Sequence, residues 1–267
     1  MNSVKLLIFF AFLSTICAFK ITPSISDGLE TDIKEFPFLI SIQQSTLQLC
    51  TGVLITNKFA LSSARCMSRR NIPQLVVEFG NTVINPGVRD GPNNVGISEI
   101  IFHPDFNYTT YENDICIIQL QNEINLDGFY EPFAHLSVTG SRFQSGTIGT
   151  HAGWGATLAN VTNHQLHRAD VTIISHSECI TAVGESKQPF FQNICAMDKS
   201  VVCTGDMGAP LLINRILVGI TSFRNGELCV NIPGQFPNVY TAISFYISWI
   251  ESVIGERFTV NTFLSRN

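Results

Sequence analysis

The chain has 267 residues, of which 45% are hydrophobic and 14% charged; this suffices for one large all-β domain or two smaller packed units and excludes a disordered chain. The formal net charge is −5, and Arg69 and Arg70 are the only adjacent pair of basic residues. The sequence therefore offers no basic patch and excludes a nucleic-acid partner.

The first residues, MNSVKLLIFFAFLSTICAFK, have the pattern of a secretion signal. Lys5 provides the positive charge, residues 6–13 form an apolar run too short to span a bilayer, and small residues end at Ala18, where we expect cleavage. The alternative is a buried N-terminal strand or helix. No later stretch reaches about 18 uninterrupted apolar residues, so we expect no membrane association. We predict a secreted, extracellular protein with a signal peptide at residues 1–18.

Secretion determines how the cysteines are interpreted. One of the 8 cysteines, Cys17, lies in the signal, which leaves seven in the mature protein. An oxidising compartment favours disulfides, and an odd number leaves one thiol over. Spacing alone does not decide the pairing. No spacing matches a CxxC zinc site, so we predict no metal and no cofactor.

Short runs rich in β-branched and large apolar residues follow along the chain, separated by Gly, Pro and Asn clusters such as NPGVRDGPNN. The runs lie at residues 38–42, 52–55, 75–79, 115–120, 171–174 and 216–221. Many short strands at this spacing predict an all-β sandwich or barrel. Near the C-terminus, Tyr246, Trp249, Ile250 and Val253 recur at helical spacing and predict one helix.

Two acceptor sequences for N-glycosylation occur in stretches that we expect to be loops. They begin at Asn107, in Asn-Tyr-Thr, and at Asn160, in Asn-Val-Thr. Such sequons are common by chance, so both are candidate sites for a glycoprotein and the use of each is left open.

Nine motifs in chain order resemble the chymotrypsin-like (trypsin-like) serine proteases. They are ISDG at 25, EFPFLISI at 35, CTGVLI at 50, ALSSARC at 60, NDICIIQL at 113, AGWG at 152, GDMGAP at 205, GITSF at 219 and NVYTAISFYISWI at 238. Each is weak alone, but together they make a specific match. The resemblance implies two six-stranded antiparallel β-barrels with a C-terminal α-helix, in a domain at residues 25–254. A short pro-segment at 19–24 and a C-terminal tail at 255–267 flank it.

The resemblance also identifies the positions where catalysis would occur. The family's mechanism requires a serine nucleophile, a histidine base and an aspartate that orients the base. Only the aspartate, Asp114, is present; Arg65 stands at the histidine position and Met207 at the serine position. Arginine stays protonated and cannot accept a proton, and a thioether has no proton to lose. We expect no functional catalytic residue, although Gly205 and Met207 would retain the oxyanion-hole backbone.

The other serines and histidines offer no substitute for the missing groups. Ser62 and Ser63 lie near Arg65 in sequence but have no evident base, and His103 matches a structural turn of the family. The remaining histidines match no catalytic position: His135, His151, His164, His167 and His176. We interpret all of them as surface or packing residues.

The positions of the primary specificity pocket also depart from the family. By the resemblance, Val201 forms its floor, while Ser222, Arg224 and Asn238 form its walls. Arg224 and Asn238 replace glycines, so their side chains are expected to obstruct a substrate.

Activation departs from the family as well. There, a freed Ile N-terminus pairs with an aspartate, here Ile25 with Asp206. Ile25 follows Ser24 and not a basic residue, so the cleavage that would free it is in doubt.

The family resemblance implies disulfides Cys50–Cys66, Cys179–Cys195 and Cys203–Cys229, with Cys116 left as a buried free thiol. In the vacated catalytic centre we expect the Arg65 guanidinium to form a two-pronged ion pair with Asp114. Met207, which is flexible and apolar, is expected to fill the cleft.

Three functions are compatible with these residues. The first is a monomeric secreted pseudoprotease that binds a protein, namely a protease, a protease substrate or another component of a proteolytic cascade. The second is an active serine-type endopeptidase with an atypical site. The third is an abundant structural component of a secretion. The absence of two of the three catalytic groups favours the first.

Overall fold

The computed structural model of the protein describes residues 28–156, 164–184, 188–197, 203–224 and 236–258. Several predictions fall on positions outside these ranges: the signal peptide, the pro-segment, Ile25, Asn160, Val201, Cys229 and most of the C-terminal tail. Within the described ranges, no helix is long and apolar enough to cross a membrane.

The first barrel is built from the N-terminal half of the described chain, after a two-residue strand β1 (Leu29–Glu30). Its strands are β2 (Leu39–Gln44), β3 (Leu47–Leu54), β4 (Phe59–Ser62), β5 (Leu75–Phe79), β6 (Asn94–Phe102) and β7 (Cys116–Leu120). They pair in the order β2-β3-β4-β7-β6-β5, and the barrel closes because β5 pairs back with β2, with Ile40 opposite Phe79.

The second barrel is built from the strands that follow. They are β8 (His135–Leu136), β9 (Ile148–Gly153), β10 (His167–Ile174), β11 (Asn193–Met197), β12 (Pro210–Ile213), β13 (Ile216–Arg224) and β14 (Asn238–Ala242). Six of them form the ring β10-β11-β14-β13-β12-β9, which closes through β9 and β10. β1 and β8 extend this sheet by pairing with β10 and β13. The predicted pair of six-stranded barrels is confirmed.

Burial explains which strand boundaries the sequence predicted well. All five residues of β5 are buried, and the predicted run, apolar except for the buried Glu78, coincides with the strand. β10 begins four residues before the predicted run, at His167, because its burial alternates and exposed Asp170 interrupts the apolar pattern. One hydrophobic cluster joins the barrels, since Leu39 and Ile117 of the first pack with Leu212 and Ile220 of the second.

Three helices connect or follow the strands in the described ranges: α1 (Ala64–Met67), α2 (His176–Val183) and α3 (Ile247–Ile254). α3 is the predicted C-terminal helix, which buries Ile250 and ends at Gly255 in the left-handed conformation. α1 and α2 were not predicted. Each begins at a serine cap: the Ser63 Oγ accepts from the Cys66 N–H at 3.2 Å, and Ser175 forms a capping box with Glu178.

The cysteines agree with the pairing implied by the resemblance wherever both partners are described. Cys50–Cys66 and Cys179–Cys195 are disulfides, and Cys116 is a buried free thiol. Burial raises the pKa of the Cys116 thiol well above its ordinary value, which keeps it protonated and unreactive. Cys203 is disulfide-bonded. Its expected partner, Cys229, lies outside the described residues, so that pairing stays a prediction.

Candidate functional site

Asp114 lies two residues before β7, where it contacts both barrels, and is fully buried. Its carboxylate accepts hydrogen bonds from the Ser63 Oγ at 2.9 and 3.0 Å, from the Arg65 backbone N–H at 2.7 Å, and from the Ser222 Oγ at 2.5 Å. Burial raises the pKa of Asp114, and these hydrogen bonds oppose the rise. No histidine in the described part of the chain donates to this carboxylate. Its hydrogen-bonding capacity is met by hydroxyls and one backbone amide.

The Arg65 side chain forms no ion pair with Asp114. Its guanidinium Nη1 donates to the Ser222 carbonyl oxygen at 3.3 Å, and its Cζ lies 4.4 Å from the ring centroid of Tyr111. The arginine ion pairs among described residues are Arg168–Glu35 and Arg215–Glu131, and His135 lies 3.6 Å from a Glu131 oxygen. The predicted two-pronged pair between Arg65 and Asp114 is therefore wrong. Three donors already serve the carboxylate, and the guanidinium avoids full desolvation by stacking on a ring.

The sequence did not predict that Ser63 and Ser222 donate hydrogen bonds to Asp114. Ser63 follows β4, and because Ser62 pairs with Cys116 of β7, the antiparallel register places Ser63 beside the segment that carries Asp114. Ser222 comes from β13 of the other barrel, 108 residues further along the chain. The one available signal in the sequence SSARC was the residue type, because serine is favoured at the N-cap of a helix, and Ser63 caps α1. That signal does not reveal the contact with Asp114.

Met207 lies half-buried in a tight loop and packs against the main hydrophobic cluster, as expected for a residue that fills space in the cleft. The loop is attached to the first barrel, since the Thr51 N–H donates to the Met207 carbonyl at 2.9 Å. Gly208 has φ +86°, and a Cβ there would lie 2.2 Å from the Thr51 carbonyl oxygen. Only glycine fits this approach of the loop to the barrel.

Two backbone amides of the same loop have no acceptor. Neither the Gly205 N–H nor the Met207 N–H donates a hydrogen bond to any residue in the described ranges. The Gly205 carbonyl, by contrast, accepts from the Gln48 Nε2 at 2.8 Å and from the Thr51 Oγ1 at 2.9 Å. These contacts fix the orientation of the Gly205 carbonyl, while both N–H groups stay available as donors.

Asp206 is a second fully buried carboxylate, next to Met207. It accepts from the Gly155 N–H at 2.8 Å and from the Cys203 N–H at 3.0 Å. No cationic group in the described part of the chain pairs with it. Burial raises the pKa of Asp206 to about 7, because two amides compensate only in part for the loss of water. Gly155 is required here, since a Cβ at that position would lie 2.1 Å from an Asp206 oxygen.

Arg224 and Asn238 face each other across β13 and β14, so their side chains share one face of the sheet. Asn238 is buried. Arg224 is half-buried, and its Nε donates to the Phe236 carbonyl at 3.3 Å. Burial lowers the pKa of Arg224. Two cavities of about 240 and 620 Å³ lie elsewhere in the described part, and neither is lined by Arg65, Asp114 or Met207.

The sequence matches the Trypsin family over residues 25–250. The chain belongs to this family. Trypsin beta of Drosophila erecta is 29% identical over 227 residues, which cover 84% of this chain and 85% of that protein. Cationic trypsin-3 of Rattus norvegicus is 29% identical over 258 residues, which cover 94% and 99% of the two chains. A solved structure of human heparin binding protein superposes with a TM-score of 0.73 at 23% identity, covering 86% of this chain and 96% of that one.

Because the chain belongs to the trypsin family, the side chains around Asp114 determine which chemistry this part of the molecule can perform. The Arg65 guanidinium lies over the Tyr111 ring, and the loop that follows Asp206 carries the thioether of Met207. Neither can exchange a proton at physiological pH.

Proposed function

We propose that this trypsin-family protein is secreted, does not hydrolyse peptides, and acts by binding a protein of a proteolytic system: a protease, its substrate or another cascade component. The observation that carries the proposal is the hydrogen bonding of Asp114. Ser63, Ser222 and the Arg65 amide supply the donors to its carboxylate. A triad would require a histidine there as the base that takes the nucleophile's proton.

Proton transfer has no other candidate among the described residues close to Asp114. The Ser63 hydroxyl is buried and donates to the carboxylate itself. His103 packs against the rings of Tyr246 and Trp249. His151 is buried within the second barrel, where its ring packs near Tyr240. A hydrolytic mechanism would therefore need a group from outside this cluster.

Binding of a peptide strand in the cleft is also disfavoured. The Ser222 carbonyl near the end of β13 already accepts from Arg65, so an extended peptide that pairs there would have to share this oxygen with the guanidinium. Further along the same strand, Arg224 and Asn238 place their side chains together on one face. These contacts support a scaffold that binds its partner by surfaces around the cleft, because loops on a rigid scaffold can change without unfolding it.

The test is a direct assay of catalysis on the secreted protein. It is incubated with a fluorophosphonate probe, with peptide substrates and with casein, beside a trypsin that has an intact triad. We expect labelling and cleavage by the control only. Labelling of this chain at a serine, together with turnover that the same probe abolishes, would contradict the proposal.

One observation favours an active enzyme with an atypical site. The amides of Gly205 and Met207 are free to stabilise an oxyanion, as a catalytic loop requires. The labelling assay decides between the two readings. A partner is then sought by affinity capture from the fluid into which the protein is secreted, with a heat-denatured sample of the same chain as the control. We further propose that the chain is monomeric, which light scattering after size exclusion tests.

A further inference from the structure

A row of aromatic rings runs from the cleft onto the surface of the first barrel. Neighbouring ring centroids are 6.4 Å apart for Phe102 and Phe106, 6.4 Å for Phe106 and Tyr108, and 6.3 Å for Tyr108 and Tyr111. Two guanidinium groups lie on this row: the Cζ of Arg65 is 4.4 Å from the Tyr111 centroid, and the Cζ of Arg69 is 4.8 Å from the Tyr108 centroid. The arginine–aromatic strip comprises Arg65, Arg69, Phe102, Phe106, Tyr108 and Tyr111.

The outer part of the strip is exposed. Tyr108 is 47% and Phe102 37% exposed, and Arg69 lies at the surface. Arg69 and Tyr111 adopt φ values of +62° and +63°, a left-handed conformation that is unusual for large side chains. Such conformations persist where the surrounding structure imposes them, and they are frequent at binding sites. The fold thus holds Tyr111 below Arg65 and directs Arg69 over Tyr108 at a local conformational cost.

The cationic groups beside the exposed rings have unused donors. The Arg69 side chain donates no hydrogen bond and forms no ion pair with any residue in the described ranges. Arg70 uses only its Nε, which donates to the Cys66 carbonyl at 3.1 Å. Asp105 and Glu112 lie on the same loop as Tyr108, yet neither forms an ion pair with these arginines. A guanidinium placed over a ring still presents N–H groups at its edge, where a carboxylate can bind.

We propose that the arginine–aromatic strip is the partner-binding surface and that its partner contributes an acidic protein segment. Carboxylates of that segment bind Arg69 and Arg70, and its aromatic or aliphatic side chains pack on Tyr108 and Phe102. This inference rests on the proposed function, since it assigns the partner chemistry of the same protein. Arginine and aromatic residues are enriched among hot-spot residues, which contribute most of the binding energy in protein interfaces.

The chemistry favours a protein segment over a sulfated polysaccharide. A polyanion of that kind binds long basic tracts, whereas this chain has a net charge of −5 and one adjacent basic pair. The strip instead combines two exposed arginine side chains nearby with two exposed aromatic rings, Phe102 and Tyr108, which matches a segment that is acidic and apolar at once.

The proposal has a consequence for Asn107, which stands between Phe106 and Tyr108 in the strip. Its Oδ1 accepts from the Thr109 and Thr110 amides at 2.9 and 3.2 Å, in an exposed turn. A glycan attached there would stand beside the rings of the strip. The form that binds the partner therefore has an unmodified Asn107.

The experiment measures the fluorescence anisotropy of a fluorescein-labelled peptide composed of Asp, Glu and Tyr, titrated with the full secreted chain. The matched peptide has Lys in place of the acids, and heparin is titrated separately. We expect saturable binding of the acidic peptide alone. Arg69→Gln and Tyr108→Ala each lower the affinity for the acidic peptide roughly tenfold, as expected for the loss of a hot-spot residue. Arg257→Gln removes the same charge from an exposed site and leaves the affinity within about twofold.

Several results would overturn the assignment. Absence of saturable binding to the acidic peptide is one, and equal affinities of the Arg69→Gln and Arg257→Gln variants are another. Tighter binding of heparin, lost in Arg69→Gln, would assign the strip to a polysaccharide instead. Tyr108→Phe keeps the ring and should bind the acidic peptide as the wild-type protein does. Binding as weak as that of Tyr108→Ala would show that the ring is not responsible. A glycan on Asn107 in the protein that binds would also exclude the strip. None of these results bears on hydrolysis, which the fluorophosphonate assay tests separately.

Discussion

Asp206 and His151 predict two opposite effects of pH on the stability of the second barrel. Burial raises the pKa of Asp206 from 3.8 to about 7, so the folded protein holds this proton more tightly than the unfolded chain does. Stability from this group is complete below pH 3.8 and is lost as the pH rises to about 7. At 1.36 kcal/mol per pKa unit, the loss is about 4 kcal/mol.

Burial has the reverse consequence at His151, whose pKa it lowers from 6.5 to about 4. The folded protein binds this proton less tightly than the unfolded chain, so stability from His151 is gained as the pH rises from about 4 to 6.5. The gain is about 3 kcal/mol. The two contributions to stability oppose each other over nearly the same pH range, so they largely cancel in the wild-type protein.

Substitution separates them. Asp206→Asn removes the titrating group. The free energy of unfolding of this variant, relative to that of the wild-type protein, should therefore increase by about 4 kcal/mol between pH 4 and 7. A constant cost of about 1–3 kcal/mol is superimposed, because the Asn amide nitrogen faces one of the two backbone N–H donors. His151→Phe should show the opposite trend, with a relative loss of about 3 kcal/mol over pH 4 to 6.5.

The assay is urea unfolding with disulfides intact, followed by the fluorescence of the two tryptophans, of which Trp154 is buried, at several pH values in this range. If the free energy of unfolding depends on pH equally in Asp206→Asn and in the wild-type protein, the reasoning is refuted. It would mean that Asp206 is paired with a cation, for which the ammonium of a freed Ile25 is the candidate. Sequencing the N-terminus of the same sample identifies that case.

Three further predictions concern Asp114 and the residues around it. Ser63→Ala removes a donor from buried Asp114 and should lower the free energy of unfolding by about 1–3 kcal/mol, measured by urea titration; an unchanged midpoint would show that the hydroxyl is dispensable. The Cys116 thiol should resist iodoacetamide in the native protein and react in urea, as mass spectrometry will record; native alkylation would contradict its burial. Arg65→His with Met207→Ser should not reach trypsin-like kcat/KM on peptide substrates, because Ser63 still occupies Asp114; efficient cleavage would refute this.

Much of the fold follows from the sequence because its signals are local or depend on residue identity. The fully buried strand β5 is apolar at every position except Glu78, and α3 shows a helical period of apolar residues. The chemistry at positions 65 and 207 is equally a matter of identity, since no environment turns a thioether into a proton donor. With the predicted signal peptide removed, seven of the eight cysteines remain, which predicts one unpaired thiol, and the family resemblance identified it as Cys116.

The hydrogen bonds of the site were decided by the tertiary structure. Asp114 is bound by Ser63, 51 residues away, and by Ser222, 108 residues away on the other barrel, and no local pattern encodes such pairs. The side chain of Arg65 had two attractive partners, a carboxylate and an aromatic ring. Packing decided between them, because once two hydroxyls and an amide had satisfied Asp114 in the interior, the guanidinium gained more from Tyr111 and the Ser222 carbonyl at the edge of the cleft.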